Sequence, residues 1–272
     1  MIDTNRLISP KIIAVANQKG GVGKTTTTIN LGAALAEVGK RVLLVDLDPQ
    51  GNASTGLGIG YDNRAMTTYD FISGDVLPSE VIQQTTVSNL WIIPANTDLS
   101  SADIELASVE KRSFLLRDAL KQDGMNTFNF DYILIDCPPS LNILTVNAMV
   151  AADGVVVPLQ SEFFALEGLS QLLLTIRKIR ETANADLRIE GVVLTMYDMR
   201  NNLSQQVEAD ARENLGDLVF QTIIPRNVRL SEAPSFAIPV LNYDSDSKGS
   251  KSYRALAQEL IANDNRRKNK VV

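Results

Sequence analysis

The chain has 272 residues and a formal net charge of −6, from 26 Lys and Arg against 32 Asp and Glu. It has no histidine and one cysteine, Cys137, which excludes an internal disulfide, a Cys/His zinc site and imidazole catalysis. We expect Cys137 to be packed and unreactive. The length suits one α/β domain, and the absence of a long apolar run or a signal peptide predicts a cytoplasmic protein.

The first predicted elements are a short apolar strand at residues 12–16, a glycine-rich loop and a helix over residues 26–38. The loop reads Lys19, Gly20, Gly21, Val22, Gly23, Lys24, Thr25 and Thr26. Glycine permits positive φ, so successive N–H groups can converge on phosphate oxygens beside the helix N-terminus. Lys24 supplies charge and Thr25 a hydroxyl for Mg²⁺. A phosphate-binding loop is therefore predicted, although Gln18 replaces the first glycine of the strict motif.

Two of the next predicted strands end in carboxylates. Residues 41–45 lead into Asp46 and Asp48, which alternation places on one side, and residues 132–135 lead into Asp136. In open α/β sheets, ligands bind beyond the carboxyl ends of the strands. On spacing alone, an acidic turn or a surface charge would also fit, but the position predicts that these carboxylates face a nucleotide.

The remaining strand-like runs alternate with helical patterns. They lie at residues 90–94, 154–158, 191–196 and 221–224. The clearest helical stripe comprises Leu166, Leu169, Leu172, Leu173 and Ile176. We interpret this stripe as core packing, and residues 56–88 as a surface excursion with short helices. The alternation predicts a doubly wound, mostly parallel sheet flanked by helices. We expect one domain over residues 1–272, with residues 1–10 and the basic tail at 265–272 flexible.

The loop at residues 19–26 resembles the deviant Walker A motif of the ParA/MinD superfamily of dimerising ATPases. Over its full length, the chain is most similar to small ParA-type, or Soj-like, partition ATPases. In that family the first lysine reaches into the partner subunit's nucleotide site, so the resemblance implies a sandwich dimer formed through Lys19. It implies ATP and Mg²⁺ as ligands, and catalytic roles for Lys19 and Lys24.

The same resemblance assigns roles to the acidic strand ends. The segment after residues 41–45 looks like the family's first switch, so Asp48 is expected to position the attacking water with Asp46 in support. Asp136 looks like the Walker B carboxylate and is expected to contact Mg²⁺ directly or through water. The implied metal site therefore consists of Thr25, Asp48 and Asp136.

Residues 224–234 form a proline-rich loop after the last predicted strand. Proline restricts the backbone and asparagine can read an adenine edge, but from spacing alone an ordinary loop fits nearly as well. The segment is similar to the family's adenine-side loop, which implies nucleotide contacts from Met196, Pro225 and Asn227.

The charge is uneven along the chain: residues 1–195 carry a net −7 and residues 196–272 a net +1. The resemblance implies that the ATP-bound dimer binds double-stranded DNA non-specifically. The candidate DNA-contacting residues are Arg200, Arg226, Arg229, Lys248, Lys251 and Arg254. Scattered basic side chains are usually solvated, so the sequence by itself supports this face only weakly. The basic tail is expected to be a solvated, disordered end.

The leading hypothesis is a nucleoid-associated DNA-segregation ATPase whose hydrolysis is stimulated by a ParB-type partner. No arginine finger is evident in the loop, which predicts slow unstimulated turnover. A MinD-like membrane-associated positioning ATPase is the alternative, but residues 255–265 lack the bulky apolar face of a membrane-binding helix. An iron–sulfur carrier would need more than one cysteine.

Overall fold

The computed structural model describes residues 9–162 and 165–270. Within these residues, seven strands form one sheet in the order β3-β4-β2-β5-β1-β6-β7. The strands are β1 (Lys11–Val15), β2 (Val42–Asp46), β3 (Gln83–Gln84), β4 (Leu90–Ile93), β5 (Tyr132–Asp136), β6 (Gly154–Gln160) and β7 (Arg188–Thr195). All neighbouring pairs are parallel except β3 and β4, which are antiparallel.

Helices connect the strands on both faces of the sheet. The α-helices are α1 (Lys24–Glu37), α2 (Asn52–Gly56), α3 (Thr68–Ser73), α4 (Pro78–Val81), α5 (Ala102–Glu105), α6 (Leu115–Ala119), α7 (Ile143–Ala151), α8 (Ala165–Thr182), α9 (Asn202–Leu215), α10 (Val228–Glu232), α11 (Val240–Tyr243) and α12 (Lys248–Lys270). Short 3₁₀ helices occupy Tyr61–Asn63, Thr97–Ser101, Leu106–Ser108, Arg112–Phe114, Met125–Phe128, Gly216–Leu218 and Ala233–Phe236. No helix in the described part of the chain is both long enough and apolar enough to cross a membrane.

The central strands are apolar because helices cover the sheet on both sides. Every residue of β2 and β5 is buried. Parallel strands covered on both faces have continuous apolar sequences instead of an alternating pattern. One apolar layer includes Leu43 and Leu172, and a second layer across the sheet includes Leu44 and Leu256. The doubly wound, mostly parallel sheet predicted from the sequence is confirmed.

Strand register brings the predicted carboxylates to one edge of the sheet. Asp136, at the end of β5, is paired with Val15 of β1 on one side and with Asp46 of β2 on the other. Asp48 follows two residues after Asp46. The loop after β1 leaves the sheet at this same edge, so backbone topology alone brings the phosphate loop to the acidic strand ends.

The apolar stripe predicted for residues 166–176 is confirmed as core packing in α8. Leu169, Leu172 and Ile176 are buried, and Leu173 packs partly buried against the same layer. The side chain of Leu166 lies outside the described residues. Because three of the stripe's members face the sheet, the helix is fixed to the core along most of its length.

The prediction of a strand at residues 221–224 is wrong. Two isolated bridges, Val192 with Val219 and Tyr197 with Pro225, join this part of the chain to β7 and the residues that follow it, together with single backbone hydrogen bonds such as that from the Ile224 N–H to the carbonyl of Leu194 at 2.8 Å. The N–H groups of Gln221 and Thr222 donate instead to the carboxylate of Glu259 at 2.7 and 2.9 Å. Since these donors are taken by a side chain, a continuous ladder cannot form.

Strand β3 was not predicted from the sequence. It lies within residues 56–88, where the expected short helices are present as well. Two consecutive glutamines carry no apolar alternation, so nothing local distinguishes this edge strand from a loop. This strand is recognised only from its antiparallel pairing with β4 in the folded protein.

The basic tail is helical as far as Lys270, which differs from the disordered end expected for residues 265–270, and Asn265 and Arg266 are exposed to solvent. The guanidinium of Arg267 contacts the carboxylate of Glu190, and Asp264 contacts Lys11 and Tyr132. These long-range contacts hold the last turns of α12 against the amino-terminal ends of β1, β5 and β7. Residues 1–8 and 271–272, which belong to the predicted flexible ends, lie outside the described residues.

Candidate nucleotide-binding site

The phosphate loop is shaped by two glycines in the left-handed region. Gly21 has φ +74° and Gly23 has φ +86°, conformations that side chains with a Cβ rarely adopt. Gly23 is the N-cap of α1, with no side-chain cap. The N–H groups of the first helical turn have no intrahelical partner, and they add to the positive end of the helix dipole. The loop is therefore built to receive an anion.

Lys24 places its cation inside this loop. Only 6% of Lys24 is exposed, and its Nζ donates to the carbonyl of Lys19 at 2.9 Å. Burial lowers the pKa of Lys24, while the nearby charges of Asp136 and Asp48 act in the opposite direction. The ammonium thus lies between the loop backbone and the acidic strand ends, where it can neutralise a phosphate.

Asp46 and Asp136 form a fully buried carboxylate pair across β2 and β5. Asp46 accepts from the N–H and Oγ of Ser54 at 2.8 and 2.7 Å. Asp136 accepts from Thr28 Oγ1 at 3.0 Å. Burial raises the pKa of both carboxyls, and the neighbouring charge of Asp46 raises the pKa of Asp136 further. The positive charge near the two carboxylates does not offset their burial.

The second oxygen of Asp136, Oδ2, is buried and has no hydrogen-bond partner among residues 9–162 and 165–270. An unpartnered carboxylate oxygen in a buried site costs free energy unless a cation or a donor binds it. The Thr25 hydroxyl acts on the same carboxyl, lowering its pKa against the larger effect of burial. Hydroxyl and carboxylate oxygens are the ligands that Mg²⁺ prefers. The residues present therefore fit a magnesium ion.

Protein side chains alone do not complete a metal site here. Among the described residues, no group of three or more His, Cys, Asp or Glu side chains is arranged to hold an ion. Magnesium in nucleotide enzymes is usually held by one or two carboxylates together with substrate phosphates. Asp48, the third predicted ligand, is 8% exposed, and its Oδ1 accepts from the N–H of Gln50 at 3.0 Å.

Lys19 lies at the rim of the loop. Its backbone N–H donates to Asn17 Oδ1 at 3.0 Å, and its Nζ forms an ion pair with Glu162. Both charged side chains are about half exposed, so this ion pair is accessible to solvent and is expected to contribute little stability. The Lys19 ammonium therefore points toward the end of β6 within its own chain.

The predicted adenine-side residues lie beside the end of β7. Met196 has φ +50°, and the preceding Thr195 donates through Oγ1 to the carbonyl of Val22 in the phosphate loop at 2.8 Å. Asn227 accepts through Oδ1 from the N–H of Arg229 at 2.8 Å, which caps α10. Strand β7 is thus joined directly to the phosphate loop.

A cavity of about 770 Å³ lies at the adenine-side loop of residues 224–234 and is lined by several predicted residues. Its lining includes Pro225, Asn227, Arg200, Arg226 and Lys248. The cavity therefore brings together two of the three proposed adenine contacts, Pro225 and Asn227, and three of the six candidate DNA-contacting residues.

The other three candidate DNA-contacting residues lie in ion pairs. Arg229 pairs with Glu232 and Asp244, Lys251 pairs with Asp246, and Arg254 pairs with Glu37. Within the cavity lining, Arg200 is also paired, with Asp198 at 3.0 Å, and it lowers the pKa of that carboxyl to about 2. The six basic residues thus do not form one uniformly unpaired surface.

Sequence reasoning missed several residues that support the site. Thr28 could have been found, because it lies one helical turn after Thr25 and so faces the same side of α1. Ser54 and Arg64 carried no comparable signal. Cys137 is buried, as predicted, and burial raises the pKa of its thiol, which is consistent with an unreactive cysteine.

The sheet, the phosphate loop and the buried carboxylates define a P-loop nucleotide-binding protein with a deviant Walker A motif. A family model described as an AAA domain matches residues 10–189. The chain is 56% identical over 260 residues to the chromosome partitioning protein ParA of Caulobacter vibrioides (strain NA1000 / CB15N), covering 96% of this chain and 97% of that protein. The chain belongs to the ParA/Soj family of chromosome-partitioning proteins.

Two further comparisons give one more relative and a solved structure of the same fold. The chain is 53% identical over 253 residues to the sporulation initiation inhibitor protein Soj of Bacillus subtilis (strain 168), covering 93% of this chain and 99% of that protein. A solved structure of cobyrinic acid a,c-diamide synthase from Mycobacterium smegmatis, with bound ATP analogue and magnesium, matches with a TM-score of 0.81 and 40% identity. It covers 93% of this chain and 94% of that one. Related proteins of this fold therefore bind nucleotide and magnesium.

Proposed function

We propose that this chain is a DNA-segregation ATPase that uses ATP binding and hydrolysis as a switch. ATP binding would drive formation of a sandwich dimer that binds DNA non-specifically, and a ParB-type partner would stimulate hydrolysis and release. The observation that carries the proposal is the unpartnered Oδ2 of Asp136, buried beside Lys24 and Thr25 at the phosphate loop. We place the protein in the cytoplasm, associated with the nucleoid.

The chemistry requires positioning and charge neutralisation, because phosphoryl transfer involves little covalent work by the protein. The loop N–H groups and Lys24 would bind the phosphates and offset their charge. Asp48 would orient the attacking water, and its position is maintained by the hydrogen bond from the N–H of Gln50. Magnesium, when bound by Thr25 and Asp136 with Asp48 in support, would neutralise charge on the phosphate oxygens.

Lys19 would leave its own chain's Glu162 and reach the nucleotide of the partner subunit. A half-exposed ion pair is typically worth less than about 1 kcal/mol, so releasing Lys19 would cost little. The intrachain pair therefore supports a role in which Lys19 changes partners when ATP bridges two subunits.

DNA binding would use the basic residues around the cavity near the nucleotide loops. Arg200, Arg226 and Lys248 line that cavity together with Pro225 and Asn227. This neighbourhood supports a link between nucleotide occupancy and the charge presented to DNA. Binding through phosphates would be indifferent to sequence and strongly salt-dependent.

The alternative, a MinD-like membrane-associated ATPase, is less well supported by the C-terminal helix. The apolar residues Tyr253, Leu256, Ala257 and Leu260 of α12 are buried in the protein's own core. An amphipathic helix must present such residues to the lipid interface. Membrane binding through α12 would require this helix to leave its place beside α1.

The proposal is tested by measuring phosphate release from Mg-ATP with DNA, with the ParB-type partner, with both and with neither. We expect slow basal turnover and stimulation that is largest with both additions. Asp48→Ala serves as the control that should bind ATP and hydrolyse poorly under all four conditions. A high basal rate that neither addition changes would contradict the switch.

A further inference from the structure

Arg64 is a buried cation to which the proposed nucleotide chemistry gives no role. It is 8% exposed and follows α2 by eight residues. Its Nε and Nη2 donate to the carbonyl of Ile59 at 3.1 and 2.8 Å. Nη2 also donates to Thr55 Oγ1 at 2.7 Å, and Nη1 donates to the carbonyl of Ala95 at 3.0 Å. Every one of these acceptors is a neutral oxygen.

Burial of this guanidinium is costly, and burial lowers the pKa of Arg64 against the opposing charge of Asp46. Within residues 9–162 and 165–270, no carboxylate lies at ion-pair distance from Arg64. The planar guanidinium offers several donors in a fixed arrangement, which a lysine ammonium cannot reproduce. Arg64 therefore acts as a fixed set of donors that joins the backbone at Ile59 and Ala95 to the side chain of Thr55.

One chain of hydrogen bonds leads from Arg64 to the Asp48 loop. Thr55 Oγ1, which accepts from Arg64, donates to the carbonyl of Gly51 at 3.1 Å. The N–H of Gly51 in turn donates to the carbonyl of Asp48 at 2.9 Å. A Cβ placed on Gly51 would lie 2.3 Å from Arg64 Nη1, so the guanidinium is packed directly against this loop.

A second chain leads from Arg64 to Asp46. The carbonyl of Ala95 accepts from Arg64, and the N–H of the same residue donates to Ser54 Oγ at 3.0 Å. Ser54 Oγ then donates to Asp46 Oδ2 at 2.7 Å. Arg64 is therefore linked by hydrogen bonds both to Asp46, the last residue of β2, and to the loop that carries Asp48.

We infer that Arg64 is a positioning residue for ATP hydrolysis, holding the loop that carries Asp48 in the geometry that orients the attacking water. This inference rests on the proposed role of Asp48. Small displacements of positioning groups lower turnover strongly, so losing Arg64 should reduce kcat by roughly ten- to a hundredfold. The phosphate loop is untouched, so nucleotide affinity should stay within about twofold.

The test compares Arg64→Lys and Arg64→Ala with the wild-type full-length protein. Each is assayed for phosphate release at saturating Mg-ATP, for affinity by fluorescent-ATP titration and for thermal unfolding. A cavity of about 490 Å³, lined by Arg64 together with Pro49, Gln50 and Tyr61, gives a small cation access to this region. Methylguanidinium is therefore added to Arg64→Ala as a chemical rescue.

Arg41→Ala is the matched control. Arg41 also donates to a backbone carbonyl, that of Phe128 at 2.8 Å, and lies over the ring of Trp91, but it precedes β2 at the opposite edge of the sheet. Its loss should affect unfolding and leave kcat unchanged. Methylguanidinium should have no effect on its turnover.

Reduced kcat with retained affinity in Arg64→Lys, and restored turnover of Arg64→Ala with methylguanidinium, would support the inference. Wild-type kcat in Arg64→Lys would overturn it, as would a folded Arg64→Ala whose lost turnover methylguanidinium does not restore. If Arg64→Ala does not fold, the kcat of Arg64→Lys decides the question. A normal rate in Asp48→Ala, run in parallel, would instead overturn the proposed function.

Discussion

Two clusters of charged side chains lie at opposite edges of the same sheet. The carboxyl-edge cluster consists of Lys24, Asp46, Asp48 and Asp136. The amino-edge cluster consists of Lys11, Arg188, Glu190, Asp264 and Arg267. Lys24 is the one cation among the three carboxylates of the carboxyl-edge cluster, whereas Lys11, Arg188 and Arg267 all act on Glu190 in the amino-edge cluster.

The two clusters differ in how well their buried carboxylates are compensated. Glu190 pairs with Lys11 at 3.0 Å, with Arg188 at 2.8 Å and with Arg267. Burial alone would raise the pKa of Glu190, but these cations outweigh burial and lower it. Asp136, with one oxygen unpartnered, has a raised pKa.

We interpret this difference as a division between a cluster that stabilises the fold and a cluster that serves ligand binding. A compensated cluster holds α12 to the starts of β1 and β7 and needs no ligand. An uncompensated cluster is costly in the free protein and becomes favourable when a cation and a polyphosphate arrive, which is why perturbed pKa values concentrate at functional sites.

The largest expected effect is the loss of nucleotide binding in Lys24→Ala. The cluster's only cation would disappear, so three carboxylates would face the incoming phosphates, and affinity should fall by at least about a hundredfold. Fluorescent-ATP titration measures it. Lys40→Ala, in a half-exposed pair with Asp131 away from the loop, is the control and should bind normally. Unchanged affinity in Lys24→Ala would remove the phosphate loop as the site.

Glu190→Gln should destabilise the fold and spare the chemistry. The substitution leaves Lys11, Arg188 and Arg267 without their shared counter-ion, which we expect to cost about 2–3 kcal/mol, less than for fully buried pairs because the two arginines are partly exposed. Urea unfolding measures the loss. Glu181→Gln, in an exposed pair with Arg177, makes the same charge change and should cost less than about 0.5 kcal/mol. Similar losses in both variants would contradict the assigned compensation.

The pH dependence of stability should have opposite signs at the two edges. In the nucleotide-free protein, Asp136 holds its proton more tightly folded than unfolded, so its contribution to stability falls as pH rises from the ordinary aspartate range through the raised pKa. Glu190 has a lowered pKa, so its contribution is present above the ordinary glutamate pKa and is lost as pH falls through the lowered value.

Asp136→Asn should therefore stabilise the nucleotide-free protein at neutral pH by on the order of 1 kcal/mol and flatten the decline with rising pH. Unfolding free energy measured across a pH series provides the comparison. An unchanged profile would mean that Asp136 is compensated by a group other than those described above.

The smallest expected effect concerns DNA. Arg200→Glu should weaken DNA binding severalfold and make the salt dependence shallower by about one unit of slope, the value of one phosphate contact. Arg177→Glu on α8, outside the cavity, makes the same charge change and should leave the slope unaltered. ATP affinity should be unchanged in both. Identical salt series for the two variants would exclude Arg200 from the DNA contact.

The features that the sequence predicts well are those set by local pattern. Continuous apolar runs ending in carboxylates predict β2 and β5, and the glycines at positions 21 and 23 predict the phosphate loop. The phosphate loop and the carboxylates of β2 and β5 lie close together because parallel topology places the carboxyl ends of these strands at one edge of the sheet.

The features that sequence reasoning missed depend on distant partners. Residues 221–224 have a strand-like sequence, but the N–H groups of Gln221 and Thr222 donate to Glu259 instead of to a neighbouring strand. The tail residue Arg267 is ordered by Glu190, 77 positions earlier, and Arg64 is held by Ala95, 31 positions later. A charged residue with such partners has the same local pattern as one in solvent, so only tertiary structure distinguishes them.

We propose that a magnesium ion completes the nucleotide site at the uncompensated carboxylate of Asp136. The most direct measurement is ATP affinity as a function of Mg²⁺ concentration for the wild-type protein and Asp136→Asn. We predict that Mg²⁺ strengthens ATP binding to the wild-type protein and has much less effect on the variant. An equal response to Mg²⁺ in both proteins would contradict the claim.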